Sequence, residues 1–271
     1  TKFIIIKRTT LLDTEFCSYG EWLIMENFLS FAQEHIEPLL VSNPGRVGFA
    51  ATLLGETYSF KGDESFVAAS TIKVPLLLSA LKLNLQKPVP LPLLKTGGSG
   101  ILEFFNSNLY YNLHDLLLAM IATSDNAATN VVIDLLGGFQ PIEQEWSLWG
   151  LKKTKLKRKM MDFSASKKGL ENTSSPLEMV NLLTTLTPEK TATLRYFLSK
   201  QLFREGLGFY LTEGVTEHKT GSLDSVFNDV GIMKLNGDLL YYAYFSKDIN
   251  IGESITLAGR IGQIIYERCP Q

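Results

Sequence analysis

The chain has 271 residues, with 26 Lys and Arg against 28 Asp and Glu and a net charge of −2. That balance excludes a surface built for nucleic acid or an anionic membrane. Hydrophobic residues at 45%, aromatics at 11% and charged residues at 20% exclude disorder and supply the core of one large domain or two interwoven ones.

The chain begins Thr1-Lys2-Phe3-Ile4-Ile5-Ile6-Lys7, a brief apolar run without a signal-peptide layout, and residues 1–24 read as an N-terminal extension. No apolar stretch is long enough to span a bilayer. Phe28, Leu29, Ala32, Ile36 and Leu39 predict a helix over 26–40, ended by Asn43-Pro44-Gly45. Val47 to Leu54 reads as a buried strand, with Thr57 to Lys61 as its hairpin partner across Gly55-Glu56. A helix beginning near Ser70 runs through Leu76, Leu77, Leu78 and Leu81, with Pro75 in its early turns, where a missing N–H costs least.

Further helices are expected over His114 to Ile121, over Ala127 to Leu136 before Gly137-Gly138, over Pro176 to Leu186 and over Thr191 to Phe203. Strands return at His218 to Leu223, Asp229 to Leu235 and Leu239 to Phe245, the last two around the hairpin dipeptide Asn236-Gly237. Ile255 to Arg268 closes the chain as a helix with Leu257, Ile261, Ile264 and Ile265 inward. The expected fold is therefore α+β: an antiparallel sheet of about five strands flanked by the terminal helices, with an all-helical lobe inserted. Residues 25–64 and 205–271 would form the sheet lobe, and 65–204 the helical lobe. A substrate cleft belongs between sheet edge and helices.

Cys17 and Cys269 form neither a disulfide framework nor a zinc pattern; they read as two free thiols, a bridge between the termini being the other option. The basic run Lys152, Lys153, Lys155, Lys157, Arg158 and Lys159 reads as a solvated face. His35, His114 and His218 are scattered and read as structural, His218 being the one near a motif.

Three short motifs carry the chemistry. Ser70-Thr71-Ile72-Lys73 sets a serine three residues before a lysine, a spacing that puts both on one helix face. A neutral amine there could take the serine's proton and leave a nucleophile. Ser124-Asp125-Asn126 and Lys219-Thr220-Gly221 follow in order. Each end motif has a decoy: Ser164 to Lys167 lies in a polar stretch, and Lys95-Thr96-Gly97 precedes the loop Gly98-Ser99-Gly100. Ser70 alone would read as a helix cap. Order and context favour Ser70, Ser124 and Lys219 together.

This ordered set resembles the class A β-lactamases and penicillin-binding proteins, serine acyltransferases that open β-lactams or cleave D-Ala-D-Ala. The likeness covers roughly residues 25 to 270 and includes Ala127-Ala128-Thr129-Asn130 after the second motif. It implies the same α+β fold, with Ser70 as acylated nucleophile, Lys73 as its activator and Ser124 as proton shuttle to the leaving nitrogen. Lys219 would hold Ser124 and attract a substrate carboxylate. Asn126, Thr220, Gly221 and Ser222 would bind substrate, and the N–H groups of Ser70 and Ser222 would form the oxyanion hole. The expected substrate is a β-lactam or a peptidyl-D-Ala-like molecule, with no cofactor, metal, nucleic acid or membrane span. A monomer is expected. The family implies the cell envelope, whereas the lack of a visible signal peptide leaves the cytoplasm open.

The chain departs from class A β-lactamases in one loop. Their Glu-x-x-Leu-Asn, whose glutamate activates the deacylating water, is missing from the region Arg158 to Pro176. Asp162 is the first stand-in and Glu171 the second; either could equally brace the loop or cap a helix. Without that base the acyl-enzyme would persist. A penicillin-binding peptidase, an esterase with slow deacylation and a non-turnover penicillin sensor are thus the alternatives to a β-lactamase. A Ser-His-Asp hydrolase fails because Ile101 breaks the Gly-x-Ser-x-Gly around Ser99, and a metallohydrolase fails for want of HExxH.

Overall fold

The computed structural model describes residues 27–43, 46–90, 96–105 and 110–269. The first expected helix is two: α1 (Phe28–His35), capped by the Asn27 side chain, and α2 (Glu37–Val41). Pro38 causes the break, because it has no N–H to continue the ladder and is tolerated only at the start of a new helix.

β1 (Arg46–Leu53) and β2 (Glu56–Phe60) form the first hairpin. Leu54 and Gly55, both at positive φ, make its two-residue turn. A short strand β3 (Phe66–Val67) leads to a 3₁₀ turn, Ala69–Ile72, and then to α3 (Lys73–Ala80). So Ser70 precedes the α-helix in a tighter turn, and Lys73 opens the helix. β4 (Pro88–Pro90) pairs with β5 (Tyr110–Asn112), ahead of α4 (Leu113–Ala122) and α5 (Asn126–Leu135).

α6 (Phe139–Leu148) has no counterpart among the expected elements; it buries Ile142 and Trp146, whose indole donates to Ser79 Oγ at 3.0 Å. The short α7 (Phe163–Lys167) precedes β6 (Thr173–Ser174), the partner of β3. Then come α8 (Pro176–Thr184) and α9 (Pro188–Leu198), both with proline in the first turn. The C-terminal part is β7 (Thr216–Leu223), β8 (Val226–Leu235), β9 (Asp238–Lys247) and α10 (Ile251–Arg268). Asn236 and Gly237 turn β8 into β9 with both residues at positive φ.

The main sheet is five-stranded and antiparallel, in the order β2-β1-β9-β8-β7, so β7 is an edge strand. Its two faces belong to two cores. Ala50, Val230, Ala243 and Phe245 pack with α3, α4, α5 and α8. Phe49, Ala51, Tyr242 and Tyr244 pack with α1 and α10. The strict alternation along β1 and β9 is what burial on both faces of one sheet demands.

Cys269 is buried, and Cys17 lies outside the described residues, so the expectation of two free thiols rests on a residue outside them. The basic run is not simply solvated: Lys153 pairs with Asp63, Lys155 and Lys157 with Glu143, Arg158 with Glu171 and Lys159 with Asp134. No described helix is long and apolar enough to cross a membrane.

Candidate active site

The turn carrying Ser70 is held from both sides. Asn228, on β8, donates to Val67 O at 2.8 Å and Ala68 O at 3.0 Å. Ala68 N donates to Asn172 O, and Thr71 Oγ1 to Ala68 O. Ala69 sits at φ 46°, a left-handed conformation that costs a non-glycine residue energy and persists where neighbours over-determine it. Ser70 itself is half-buried.

Lys73 is wholly buried, yet its amine meets four oxygens: Ser70 Oγ at 3.1 Å, Ser124 O at 2.7 Å, Ser124 Oγ at 2.9 Å and Asn126 Oδ1 at 2.9 Å. The Ser124 carbonyl and the Asn126 amide oxygen can only accept. A neutral amine has two N–H groups for those two, and its lone pair is left facing the serine hydroxyls. Burial pushes Lys73 well below the ordinary lysine range, and the nearby Lys219 ammonium pushes the same way, against an opposing pull from Asp125.

Ser124 occupies the left-handed region at φ 55°. Asp125 follows as the α5 cap, accepting from Ala128 N at 2.8 Å with one oxygen and from Ile101 N and Leu102 N with the other. Asn126 is fixed by its N–H to Ser99 O and its amide nitrogen to Gly97 O. The loop Gly98-Ser99-Gly100 therefore lies against the Ser-Asp-Asn turn. A Cβ at Gly100 would lie 2.3 Å from Asp125 Oδ2, so only glycine lets the loop approach this closely.

Lys219, on β7, is also fully buried, and burial lowers it to about 7 against a weaker opposing pull from Asp229. Its amine donates to Thr220 O at 2.8 Å, whereas the Ser124 hydroxyl bonds Lys73; the expected Lys219–Ser124 link is not among the bonds of the described residues. Gln201, which no motif marked, also faces Lys219. In the amide orientation that satisfies its neighbours, its oxygen accepts from Lys219 Nζ at 3.0 Å and Thr220 N at 2.9 Å. Its nitrogen donates to Ile121 O at 2.8 Å and Ala122 O at 3.1 Å. Gln201 thereby ties the strand of Lys219 to the end of the helix before Ser124.

Gly221 brings the edge strand against the nucleophile's turn: a Cβ there would stand 2.5 Å from Ser70 N and 2.9 Å from Thr71 N. Ser222, next on the strand, is exposed and lines the cleft on both sides of Ser70. The cleft's two ends enclose about 300 and 360 Å³, a size that holds small molecules. One end is lined by Ser124, Phe203, Glu205, Thr220, Phe227 and Ile251. The other is lined by Asn126, Met160, Met161, Phe163, Asn172 and Asp224.

Neither expected water-activating carboxylate faces this cleft. Asp162 is exposed and caps α7, accepting from Ala165 N at 2.9 Å. Glu171 pairs with Arg158 at 3.1 Å and accepts from Ser166 Oγ. Met160 lines the cleft instead, its N–H and carbonyl both held by the Asn130 side chain at 2.8 and 3.2 Å. Asn130 is thus a loop brace across to Met160. The decoy pair Ser164 and Lys167 lies exposed on α7, and Lys95 lies outside the described residues. His218 is buried against Asp229 at 2.7 Å, and His114 bonds Asp115. No group of three or more His, Cys, Asp or Glu able to hold a metal occurs among the described residues.

The family model described as "Beta-lactamase enzyme family" matches residues 32–269. Among solved structures, PBP-A is 27% identical with a TM-score of 0.79, over 89% of this chain and 96% of that one. A β-lactamase from Sphaerobacter thermophilus DSM 20745 is 28% identical with a TM-score of 0.77, over 86% and 94%. A point mutant of PBP-A, an acyl-enzyme complex with penicillin G, is 26% identical with a TM-score of 0.78, over 90% and 97%. Curated proteins gave no sequence match.

Proposed function

This chain belongs to the β-lactamase enzyme family, and from that premise we propose that it is a serine acyl-transfer enzyme whose Ser70 is acylated by β-lactams and released slowly. The observation that carries the reading is one buried amine, Lys73 Nζ, within hydrogen-bond reach of both the Ser70 and Ser124 hydroxyls.

In the proposed reaction Ser70 Oγ forms a bond to the lactam carbonyl carbon while its proton passes to the neutral Lys73 amine. The C–N bond then breaks, and the nitrogen takes a proton from Ser124 Oγ, which Lys73 replenishes. The N–H groups of Ser70 and Ser222 receive the developing oxyanion; removing one such donor from an acyl-transfer site costs about a hundredfold or more in rate. Asn126 binds the substrate's acylamino group. Thr220 and the charged form of Lys219 receive its carboxylate.

Release is proposed to be slow because neither Asp162 nor Glu171 lines the acyl end of the cleft. Met160, whose thioether cannot take a proton from water, does line it, and the carboxylate there is Asp224, in the exposed β7–β8 turn. That favours a penicillin-binding peptidase, esterase or sensor over a turnover β-lactamase. One acyl-enzyme of the family, the PBP-A mutant with penicillin G, is among the structures this chain resembles.

The test is a labelling time course with fluorescent penicillin, read by mass spectrometry at Ser70. A single adduct that persists for hours is expected. Rapid loss with released penicilloic acid would make the protein a turnover β-lactamase, and no adduct beside a labelled positive control would end the acyl-transfer reading.

A further inference from the structure

We propose that the leaving-group end of the cleft is a subsite for a positively charged substituent, with Glu205 as the residue that selects it. The inference rests on the acyl-transfer reading of Ser70, which makes the end lined by Ser124 and Thr220 the side of the departing nitrogen.

Glu205 is the one ionisable side chain lining that end. Among the described residues it has no ion pair, since its neighbour Arg204 pairs with Glu213 at 2.6 Å. The buried Lys219 makes no ion pair with it among the described residues; that amine is bonded to Thr220 O. A half-buried carboxylate thus faces a cleft without a paired cation.

The segment that carries it is held in place. On one side Gln201 is tied to Lys219, Thr220 and the end of α4. On the other, Leu207 N donates to the buried Asp229 carboxylate at 2.9 Å, and Gly206 lies so close that a Cβ would stand 2.1 Å from the same oxygen. The backbone is committed on both sides of Glu205 while its carboxylate is not.

The remaining walls suit the same ligand. Phe203 and Phe227 offer aromatic rings, and Ile251 and Ile255 add aliphatic surface. Rings together with a carboxylate recognise organic cations such as pyridinium or alkylammonium groups. Such a substituent is compatible with a substrate carboxylate at Thr220, so the preferred leaving group is zwitterionic.

Cephaloridine and cephalothin provide the test, because they share an acyl side chain and differ at the leaving-group end, pyridinium against acetoxy. Second-order acylation rates for both would be measured by competition with fluorescent penicillin, for wild type, Glu205→Gln and Glu205→Lys. Comparing the ratio between variants cancels the drugs' intrinsic reactivities. The cephaloridine-to-cephalothin ratio should fall about three- to tenfold in Glu205→Gln and further in Glu205→Lys, and the wild-type ratio should shrink in high salt. The same ratio in all three proteins would overturn the subsite. No labelling of wild type by any β-lactam would overturn the acyl-transfer reading beneath it, a result distinct from an unchanged ratio in labelled protein.

Discussion

Lys73 Nζ stands 2.9 Å from Ser124 Oγ and 2.7 Å from Ser124 O, although 51 residues separate the two in the chain. Helix α3 supplies the amine, and the left-handed turn before α5 supplies the hydroxyl. Asp125 pins that turn, accepting from Ile101 N, Leu102 N and Ala128 N, and so fixes the hydroxyl beside the amine.

If Lys73 acts as a neutral base, Lys73→Met should lower the acylation rate by about 10²–10⁴-fold, the usual worth of a positioned general base. Lys73→Arg should not restore it, because a guanidinium does not give up its proton in a protein. Both are read by stopped-flow acylation with nitrocefin. An active arginine variant would show that charge alone suffices.

The pH dependence has a definite sign. Burial and the nearby Lys219 lower Lys73 well below the ordinary lysine range, so any acid limb from protonating this base should lie at a pH well below that of a free lysine. Burial lowers Lys219 to about 7, and in the proposed reaction its charged form would attract the substrate carboxylate. Acylation by carboxylate-bearing penicillins should therefore fall as pH rises through about 7. With the penicillin methyl ester that limb should disappear. A limb shared by acid and ester would assign it to another group.

Met160 occupies the cleft wall where a water-activating carboxylate would be useful, with its backbone already held by Asn130. Met160→Glu should speed release of the penicilloyl adduct by at least about tenfold, within the range of general-base catalysis. Asp162→Asn should leave release unaltered, since that carboxylate caps α7. Adduct lifetimes by mass spectrometry decide both, and faster decay in neither Met160→Glu nor wild type would show that water itself is excluded.

Gly221→Ala should cost acylation about a hundredfold or more, because a Cβ placed 2.5 Å from Ser70 N pushes the edge strand away from the oxyanion donors. The melting temperature monitors folding. A folded variant with the wild-type acylation rate would mean that Ser222 and Ser70 do not act together.

Part of this architecture is legible locally. Asn236-Gly237 announces a turn because both positions need positive φ, and the apolar run from Val47 to Leu54 announces a buried strand. The α1–α2 break at Pro38 was readable in principle, since proline cannot continue a helix ladder, yet the apolar spacing continued through it. Helix α6 is harder to read, because its Ile142 and Trp146 join a core made by distant helices and the Trp146 indole finds its acceptor in Ser79, 67 residues away.

By itself the amino-acid order determined which side chains are available: a serine a turn before a lysine, a Ser-Asp-Asn turn and a Lys-Thr-Gly strand in family order. Only the tertiary structure decided which of these groups meet and which carboxylates are engaged elsewhere. Asp162 and Glu171 share a loop with Met160, but one is spent on a helix N-terminus and the other on Arg158, so sequence proximity to the site did not become contact with it. Gln201 and Glu205 carry no motif; Gln201 reaches Lys219 and Thr220, and Glu205 lines the cleft beside a loop that the buried Asp229, on β8, holds through Leu207 N. Such positions are set by long-range bonds among buried polar groups, which must be satisfied but whose partners no local pattern specifies.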